Sequence, residues 1–355
     1  MFRFTLRKPH KSITRRLHQK SPSKGKIITS GVVDTRISMS VEQYLYRSEF
    51  DYPILFIRQA RPTVILGCNQ NAWLDCNIHK LNKGGVDLMR RCAGGGAEYV
   101  DQGTLLVSFI GNHIKYPLLS PSNCEQLIEI AIHQAFNVDV TTNSRYQFMA
   151  NGMKVGNTSF ESKPEPLDSI HTLYQTSLFV NTNLEAMKEY TKNDNSVANL
   201  LTCDSESTID DLRNSIKKNF KLLHYPVTEF KQIEIDEIGM KRIPGVRQIY
   251  DEIYTINHIY SGGVPRFNKY FYGEYDWGYI RILLQVDHGV ITDISCSTDS
   301  MIIVIPHLLR DILMNTKYSR VDVYTTLGRY IERETIGILN GILRDVRELM
   351  FREMY

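Results

Sequence analysis

The sequence predicts an α/β (α+β) protein with a large N-terminal part and a small C-terminal one. Three observations predict it. Strand-like apolar runs and helical stripes are interleaved along the chain rather than segregated. At roughly 100–200 residues per domain, the 355 residues suggest two domains, or one large domain with an appendage. Breakers at Pro244, Gly262 and Gly263 interrupt the pattern and set a boundary near residue 262. With 42% hydrophobic and 23% charged residues the composition is that of a globular protein, which excludes a mainly disordered chain, a collagen-like repeat and a small disulfide scaffold.

Taken in order, Ser38–Glu49 reads as a helix with Ser40 as N-cap and Val41, Tyr44 and Leu45 on one face. Ile54–Arg58 and Thr63–Leu66 read as strands joined by a short turn containing Pro62, and the polar CNQNAWLDCN stretch leads into a helix. The segment from Gly84 to Ile110 reads as strand, glycine-rich turn, strand. Glu125–Phe136 carries a helical stripe at Leu127, Ile128, Ala131, Ile132, Ala135 and Phe136. Residues 145–160 read as a hairpin turning at Asn151-Gly152. A strand at Ser177–Val180 and helices at Asn183–Lys192 and Ser207–Leu223 follow, then a mixed segment from Pro226 to Pro265. Tyr279–Val286 and Val290–Cys296 form a second hairpin around Asp287-His288-Gly289, and helices near 301–315 and 334–352 complete the chain.

No run approaches the roughly 20 apolar residues of a membrane-spanning helix. The cysteines Cys68, Cys76, Cys92, Cys124, Cys203 and Cys296 form no CxxC pair, so neither a zinc ribbon nor a disulfide framework is signalled, and a reducing compartment is expected. The net charge of +3 hides an asymmetry: residues 1–33 hold nine Lys and Arg and no acid, so the remainder is net acidic. This segment, with Phe2, Phe4 and Leu6 near its start, has the composition of a mitochondrial presequence. A basic tail for nucleic acid or anionic membrane is the alternative. The acidic body makes nucleic acid a poor main partner. The expected organisation is a presequence over 1–33, a main domain over 34–262 and an accessory domain over 263–355.

The strongest local feature is Arg90-Arg91-Cys92-Ala93-Gly94-Gly95-Gly96-Ala97. Successive glycines let a backbone reach positive φ and approach a ligand, and successive N–H groups in such a turn cradle phosphate oxygens. Arg91 offers a planar fork of donors to a carboxylate or phosphate. The alternative is a glycine-rich bulge with both arginines solvated. No GxxxxGK[ST] or GxGxxG spacing is present, so this is neither a P-loop nor a dinucleotide fingerprint. The second feature is Asn151-Gly152-Met153-Lys154-Val155-Gly156-Asn157, in which a lysine just past a turn can project into a cleft. An ordinary exposed hairpin lysine is the alternative. Cys92, beside the glycines and Arg91, is a candidate thiolate nucleophile, with a small inert cysteine as the alternative.

Together, PTVILGCNQNAWLDCN (62–77), RRCAGGGAEYVDQGTLLVSFI (90–110) and GMKVGNTSF (152–160) resemble the motifs of the lipoate–protein ligase A and lipoyltransferase family, in that order and at that separation. WGYIRILLQVDHGVITDISCSTDSM (277–301) is similar to the family's accessory domain. The resemblance implies a mixed sheet flanked by helices, as in biotin and lipoate ligases, with a small α/β accessory domain. It implies that a lipoate or octanoate carboxylate attacks the α-phosphate of ATP to give an acyl-adenylate and pyrophosphate. The acyl group then passes to a lysine of lipoyl domains, in dehydrogenase E2 subunits and the glycine cleavage H protein, in the mitochondrial matrix.

Carried to the matching positions, the resemblance makes Lys154 the bridge between acyl oxygen and α-phosphate and Arg91 a phosphate contact. The main chain of Gly95, Gly96, Ala97, Glu98 and Tyr99 wraps the nucleotide. Gly94 and Arg90 join Lys154 at lipoate, and Asp101 contributes to a Mg2+ shell. An apolar tunnel for the acyl chain is expected, with Val64, Leu66, Val107 and Phe109 as candidates. The chain departs from the family at Ala93, Glu98, Val100, Thr104, Leu106, Gly156-Asn157, Glu161 and the run Tyr174–Phe179, with His171 out of register. Loss of donors and gain of two glutamates bears on adenylation more than on transfer. A lipoyl amidotransferase using a preformed acyl donor, and a non-catalytic lipoyl-domain binder, stay open.

Overall fold

An eight-stranded mixed sheet organises the N-terminal part of the computed structural model. The structure describes residues 24–165, 169–191, 196–201, 207–223, 229–252, 254–261, 266–333 and 337–354. In chain order the elements of the first part are β1 (Lys24–Val33), α1 (Thr35–Arg47), β2 (Ile54–Ala60), β3 (Thr63–Leu66), α2 (Ala72–Asp75), α3 (Ile78–Gly84), β4 (Asp87–Arg90), β5 (Glu98–Val100), β6 (Thr104–Asn112) and α4 (Pro121–Phe136). Then follow β7 (Thr141–Thr142), β8 (Gln147–Ala150), β9 (Met153–Glu165), β10 (Ser169–Phe179), α5 (Leu184–Tyr190), α6 (Ile209–Leu223), β11 (Glu229–Glu234), α7 (Glu237–Lys241), α8 (Val246–Glu252) and α9 (Ile256–Ser261). The C-terminal part holds β12 (Arg266–Tyr275), β13 (Gly278–Asp287), β14 (Val290–Thr298), α10 (Ile305–Leu313), α11 (Arg320–Ile331) and α12 (Gly337–Glu353).

The large sheet runs β11-β1-β2-β6-β10-β9-β8-β7, a second sheet runs β4-β3-β5, and the third is β12-β13-β14. In the large sheet β1 pairs parallel with β2 and β11, and the remaining neighbours are antiparallel. Local chemistry explains the boundaries. Asp34 caps α1 by accepting from the Ile37 N–H at 3.1 Å, so the helix starts ahead of the expected cap at Ser40. Pro121 opens α4 at a position needing no N–H, and Asn137 closes it in the left-handed conformation at φ 54°. The expected hairpin turns are both present. Asn151 and Gly152 take φ of 49° and 76°, and His288 and Gly289 take 48° and 75°. Paired positive φ gives a turn whose twist matches the strands.

Lys24–Val33, which falls within the expected presequence, is a strand between β2 and β11. Three expectations are corrected. The glycine-rich turn leads first to the short β5 in the small sheet and only then to β6 in the large one. Ser169–Phe179 is a full strand rather than a short one, and α11 lies between the two expected C-terminal helices. The boundary near 262, along with residues 1–23, Cys203 and Pro226, lies outside the described residues.

The faces of the large sheet differ. One face packs α4 and α6 over Leu105, Val107, Phe109, Tyr174 and Leu178. Phe109 sits 6.0 Å from Tyr174 and 5.9 Å from Phe220, centroid to centroid. The opposite face is covered by α1 and by the small sheet, and there the lining turns polar. The C-terminal sheet packs against its own helices and meets the main domain where Trp73, next to Tyr260, reaches Gly289 of the second hairpin. Phe109→Ala removes the ring between Tyr174 and Phe220 and is expected to cost about 3–5 kcal/mol in urea unfolding. A loss under about 1 kcal/mol would contradict this packing.

Candidate functional site

A β-bulge puts the lysine in place. In the β8–β9 pair the register shifts between Phe148 and Met149, so one extra residue is inserted on β9 around Val155-Gly156. Val155 packs into the α4/α6 core, while Lys154 and Asn157 fall on the other face. Gly156 has no room for a side chain: a Cβ would meet the Ser177 carbonyl at 2.6 Å. The Lys154 main chain is pinned on both sides, donating to Ser196 at 2.8 Å and accepting from Ala198 at 2.9 Å. Its ammonium lies 5.8 Å from the ring centre of Phe179, which is buried with Leu66, Ala97 and Tyr99. The half-buried amine therefore stands over the cluster into which the glycine-rich turn feeds.

The turn is shaped by Arg91. Its Nε donates to the Gly94 carbonyl at 2.9 Å, Nη2 to the Gly96 carbonyl at 2.8 Å, and Nη1 faces Glu98 at 3.4 Å. Gly95 takes φ 104°, and a Cβ there would meet the Arg91 fork, so both its conformation and its space require glycine. Gly95 and Gly96 are exposed, and among the described residues no main-chain N–H of Gly94, Gly95 or Gly96 donates to a carbonyl. Exposed N–H groups at a glycine turn are a fit for phosphate oxygens.

Glu98 leaves the turn pointing back into the cleft. Its carboxylate accepts from Asn157 at 3.1 Å and from the Ser177 hydroxyl, besides the contact to Arg91. Beside it lies a second buried network. Glu42 of α1 takes a 2.8 Å ion pair from Arg58 and accepts from Ser108 and Gln175, and Ser159 donates to Gln175 at 2.8 Å. Gln43 donates to Glu161 at 3.2 Å, and burial pushes the Glu161 carboxyl up. The two networks enclose a cavity of ≈ 30 Å³ lined by Glu42, Arg58, Arg91, Glu98, Asn157 and Gln175. That is room for about one water.

The structure groups Arg91, Glu98, Gly94 and Gly96 at one turn, holds the Lys154 ammonium over Phe179, and sets other expected residues apart. Arg90 is buried, with its donors directed at the carbonyls of Gly67, Cys68, His258 and Ile259, so it clamps loops rather than facing the cleft. Ala97 and Tyr99 are buried in the small-sheet core, and Glu98 and Tyr99 pair with Ile65 and Val64. Asp101, expected in a magnesium shell, is engaged within the chain. Its two oxygens accept the N–H groups of Gly103 at 2.8 Å and Asn183 at 3.0 Å, and among the described residues no group of three His, Cys, Asp or Glu could hold a metal. The apolar tunnel is corrected too: Val64 and Leu66 belong to the small-sheet cluster, while Val107 and Phe109 pack under α4 and α6 across the sheet.

His171 stacks on Tyr46 at 5.6 Å, well along β10 from the cleft residues. Burial, reinforced by Glu161, pushes the Cys92 thiol up to about 12, which keeps it a protonated, poor nucleophile. Sequence reasoning missed Glu42, Arg58 and Ser108, and met Asn157, Gln175 and Ser177 only as departures from the family. For the missed residues the available signal was Arg58, a charge closing the apolar run ILFIR.

A family model described as the lipoyl protein ligase A/B catalytic domain matches residues 34–237, and one described as the bacterial lipoate protein ligase C-terminus matches residues 264–344. The lipoate-protein ligase A of Psychrobacter cryohalolentis is 23% identical over 84% of this chain and 90% of its own. The mitochondrial lipoyl amidotransferase of Homo sapiens is 25% identical over 76% of this chain and 74% of its own. Among solved structures, a Plasmodium falciparum protein in complex with lipoate superposes with a TM-score of 0.58 at 22% identity, covering 93% of this chain and 100% of that one. A lipoate-protein ligase A bound with ATP does so with 0.56 at 22% identity, covering 68% and 100%. These likenesses agree with the expected mixed sheet and accessory domain.

Arg58→Met leaves Glu42 as an unpaired buried charge and is expected to cost about 3–5 kcal/mol in urea unfolding, with a loss under about 1 kcal/mol contradicting the pairing. The folded chain holds the Cys92 proton more tightly than the ordinary thiol value of 9.0. Its contribution to stability is therefore intact below about 9 and lost as pH rises toward about 12. Native Cys92 should resist iodoacetamide at pH 8, where the unfolded chain reacts; equal rates in both states would contradict its burial.

Proposed function

The chain belongs to the lipoyl protein ligase A/B family, and on that premise we propose that it lipoylates proteins. The reaction attaches a lipoyl or octanoyl group in amide linkage to a lysine of lipoyl domains, those of dehydrogenase E2 subunits and of the glycine cleavage H protein. The observation that carries this reading is the bulge-set Lys154 amine standing over the cluster that holds Phe179 and Ala97, the residue that follows the glycine-rich turn.

The chemistry asks for this arrangement. A carboxylate is a poor electrophile until it carries a good leaving group, and in lipoyl-AMP that group is AMP. Bringing acyl oxygen and phosphate together needs fixed positive charge and preorganised donors where charge develops. Lys154 supplies the charge, and the N–H groups of Gly94, Gly95 and Gly96 supply the donors. The remaining gain is positioning of the acyl carbon for the incoming amine. In the ligase reading, lipoyl-AMP is made on the chain from lipoate and ATP, with pyrophosphate as the leaving group. No step is assigned to magnesium; Asp101 accepts the N–H groups of Gly103 and Asn183.

A second reading, a lipoyl amidotransferase fed by a preformed acyl-AMP or acyl-protein, is favoured by one observation. All three guanidinium nitrogens of Arg91 already have partners within the chain. For location, the acid-free basic N-terminal residues and a mitochondrial relative support the mitochondrial matrix.

Mass spectrometry of a lipoyl domain incubated with the chain, lipoate and ATP separates these readings. Modification only with ATP supports the ligase, and modification from lipoyl-AMP or a lipoylated donor without ATP supports the amidotransferase. Modification under neither condition overturns both. Lys154→Ala should reduce transfer by about 100-fold or more with an unchanged circular dichroism spectrum. Transfer near the wild-type rate would remove Lys154 from the mechanism.

A further inference from the structure

The Glu98 carboxylate sits where donors from three separate segments converge. Arg91 comes from the start of the glycine-rich turn, Asn157 from β9 just past the bulge, and Ser177 from β10. Glu98 is itself buried, lines the cavity, and lies two residues beyond the exposed Gly96. A guanidinium, an amide N–H and a hydroxyl aimed at one point form a seat for an anion. Here the anion belongs to the protein. Arg91 also donates to the Gly94 and Gly96 carbonyls, so the cation that a ligand anion would seek is already held by the turn and by Glu98.

We propose that Glu98 is a built-in anion that fills this seat and sets which nucleotide ligands the cleft admits. This deepens the lipoylation reading and rests on it for the identity of the acyl donor. A like charge close by in a poorly solvated cleft disfavours a second anion. A phosphate brought to the turn meets an arginine whose charge the Glu98 carboxylate already offsets. A nucleoside triphosphate, with the most negative charge, is penalised most. An acyl-adenylate, whose single bridging phosphate carries one charge, is penalised least. The chain is thereby biased toward a preformed acyl-adenylate and away from building one from ATP.

Calorimetric titration of the full chain with ATP, AMP and adenosine tests this. The wild-type chain should bind ATP no more tightly than adenosine. In Glu98→Gln, which keeps the shape and removes the charge, ATP affinity should rise by about tenfold or more, AMP affinity by less, and adenosine affinity by under about twofold. Glu98→Ala should follow the same order. A wild-type preference for ATP over adenosine above about tenfold overturns the proposal without any variant. So does a Glu98→Gln gain that is absent or equal for all three ligands, which is what a merely structural carboxylate would give. Lipoyl transfer by the wild-type chain from preformed lipoyl-AMP is scored separately: its failure sinks the lipoylation reading and leaves the charge-dependent affinities to stand or fall alone.

Discussion

The Arg91 guanidinium folds the glycine-rich turn onto itself, and the cleft depends on that one set of contacts. By bonding the carbonyls of Gly94 and Gly96 from inside, it turns carbonyl oxygens inward and leaves the turn's N–H groups outward. Three adjacent glycines have many conformations open to them, and ordering them costs more entropy than ordering other residues. A planar donor fork matched to two carbonyls offsets part of that cost and selects one shape. Gly95 is left with no space for a side chain, and Gly67 meets the same constraint from the facing loop. A lysine in place of Arg91 would keep the charge but lose the fork.

The large sheet divides its labour by face. Beneath α4 and α6 it is apolar and closely packed, and that side carries the stability of the domain. Beneath α1 and the small sheet, the same strands present Arg58, Ser108, Gln175, Ser159, Asn157 and Ser177. Such residues in a buried face are tolerable because they satisfy one another: Glu42 alone receives Arg58, Ser108 and Gln175. The bulge on β9 links the two faces. Without it, the alternation that sends Val155 into the core would carry Asn157 to the same side and away from Glu98.

Much of this was legible in the sequence for identifiable reasons. The hairpin turns at Asn151-Gly152 and Asp287-His288-Gly289 are written in residues that accept positive φ, and the α4 stripe follows helical spacing. The glycine-rich turn and Lys154 were found because short motifs carry them. β1 was missed because its lysines continue the basic run before it, and a strand between two parallel neighbours need not alternate. The acyl tunnel was misassigned because membership of an apolar strand does not say which face a residue joins: Val107 and Phe109 share their strand with Ser108, which points the other way. The Glu42–Arg58 pair spans α1 and β2, and no local pattern announces a contact between elements. The charge state of the cleft was equally hidden. Glu98 and Glu161 were visible as departures, yet only their partners decide what the charges do.

The central claim is geometric: one amine on β9 and one glycine turn act on the same acyl-phosphate group. A crystal structure of the chain with a non-hydrolysable lipoyl-AMP analogue measures that directly. The account predicts the Lys154 ammonium within about 3 Å of both an acyl and a phosphate oxygen, with the phosphate against the N–H groups of Gly94–Gly96. An analogue bound elsewhere, or bound at the turn with the lysine directed away from it, would contradict the account.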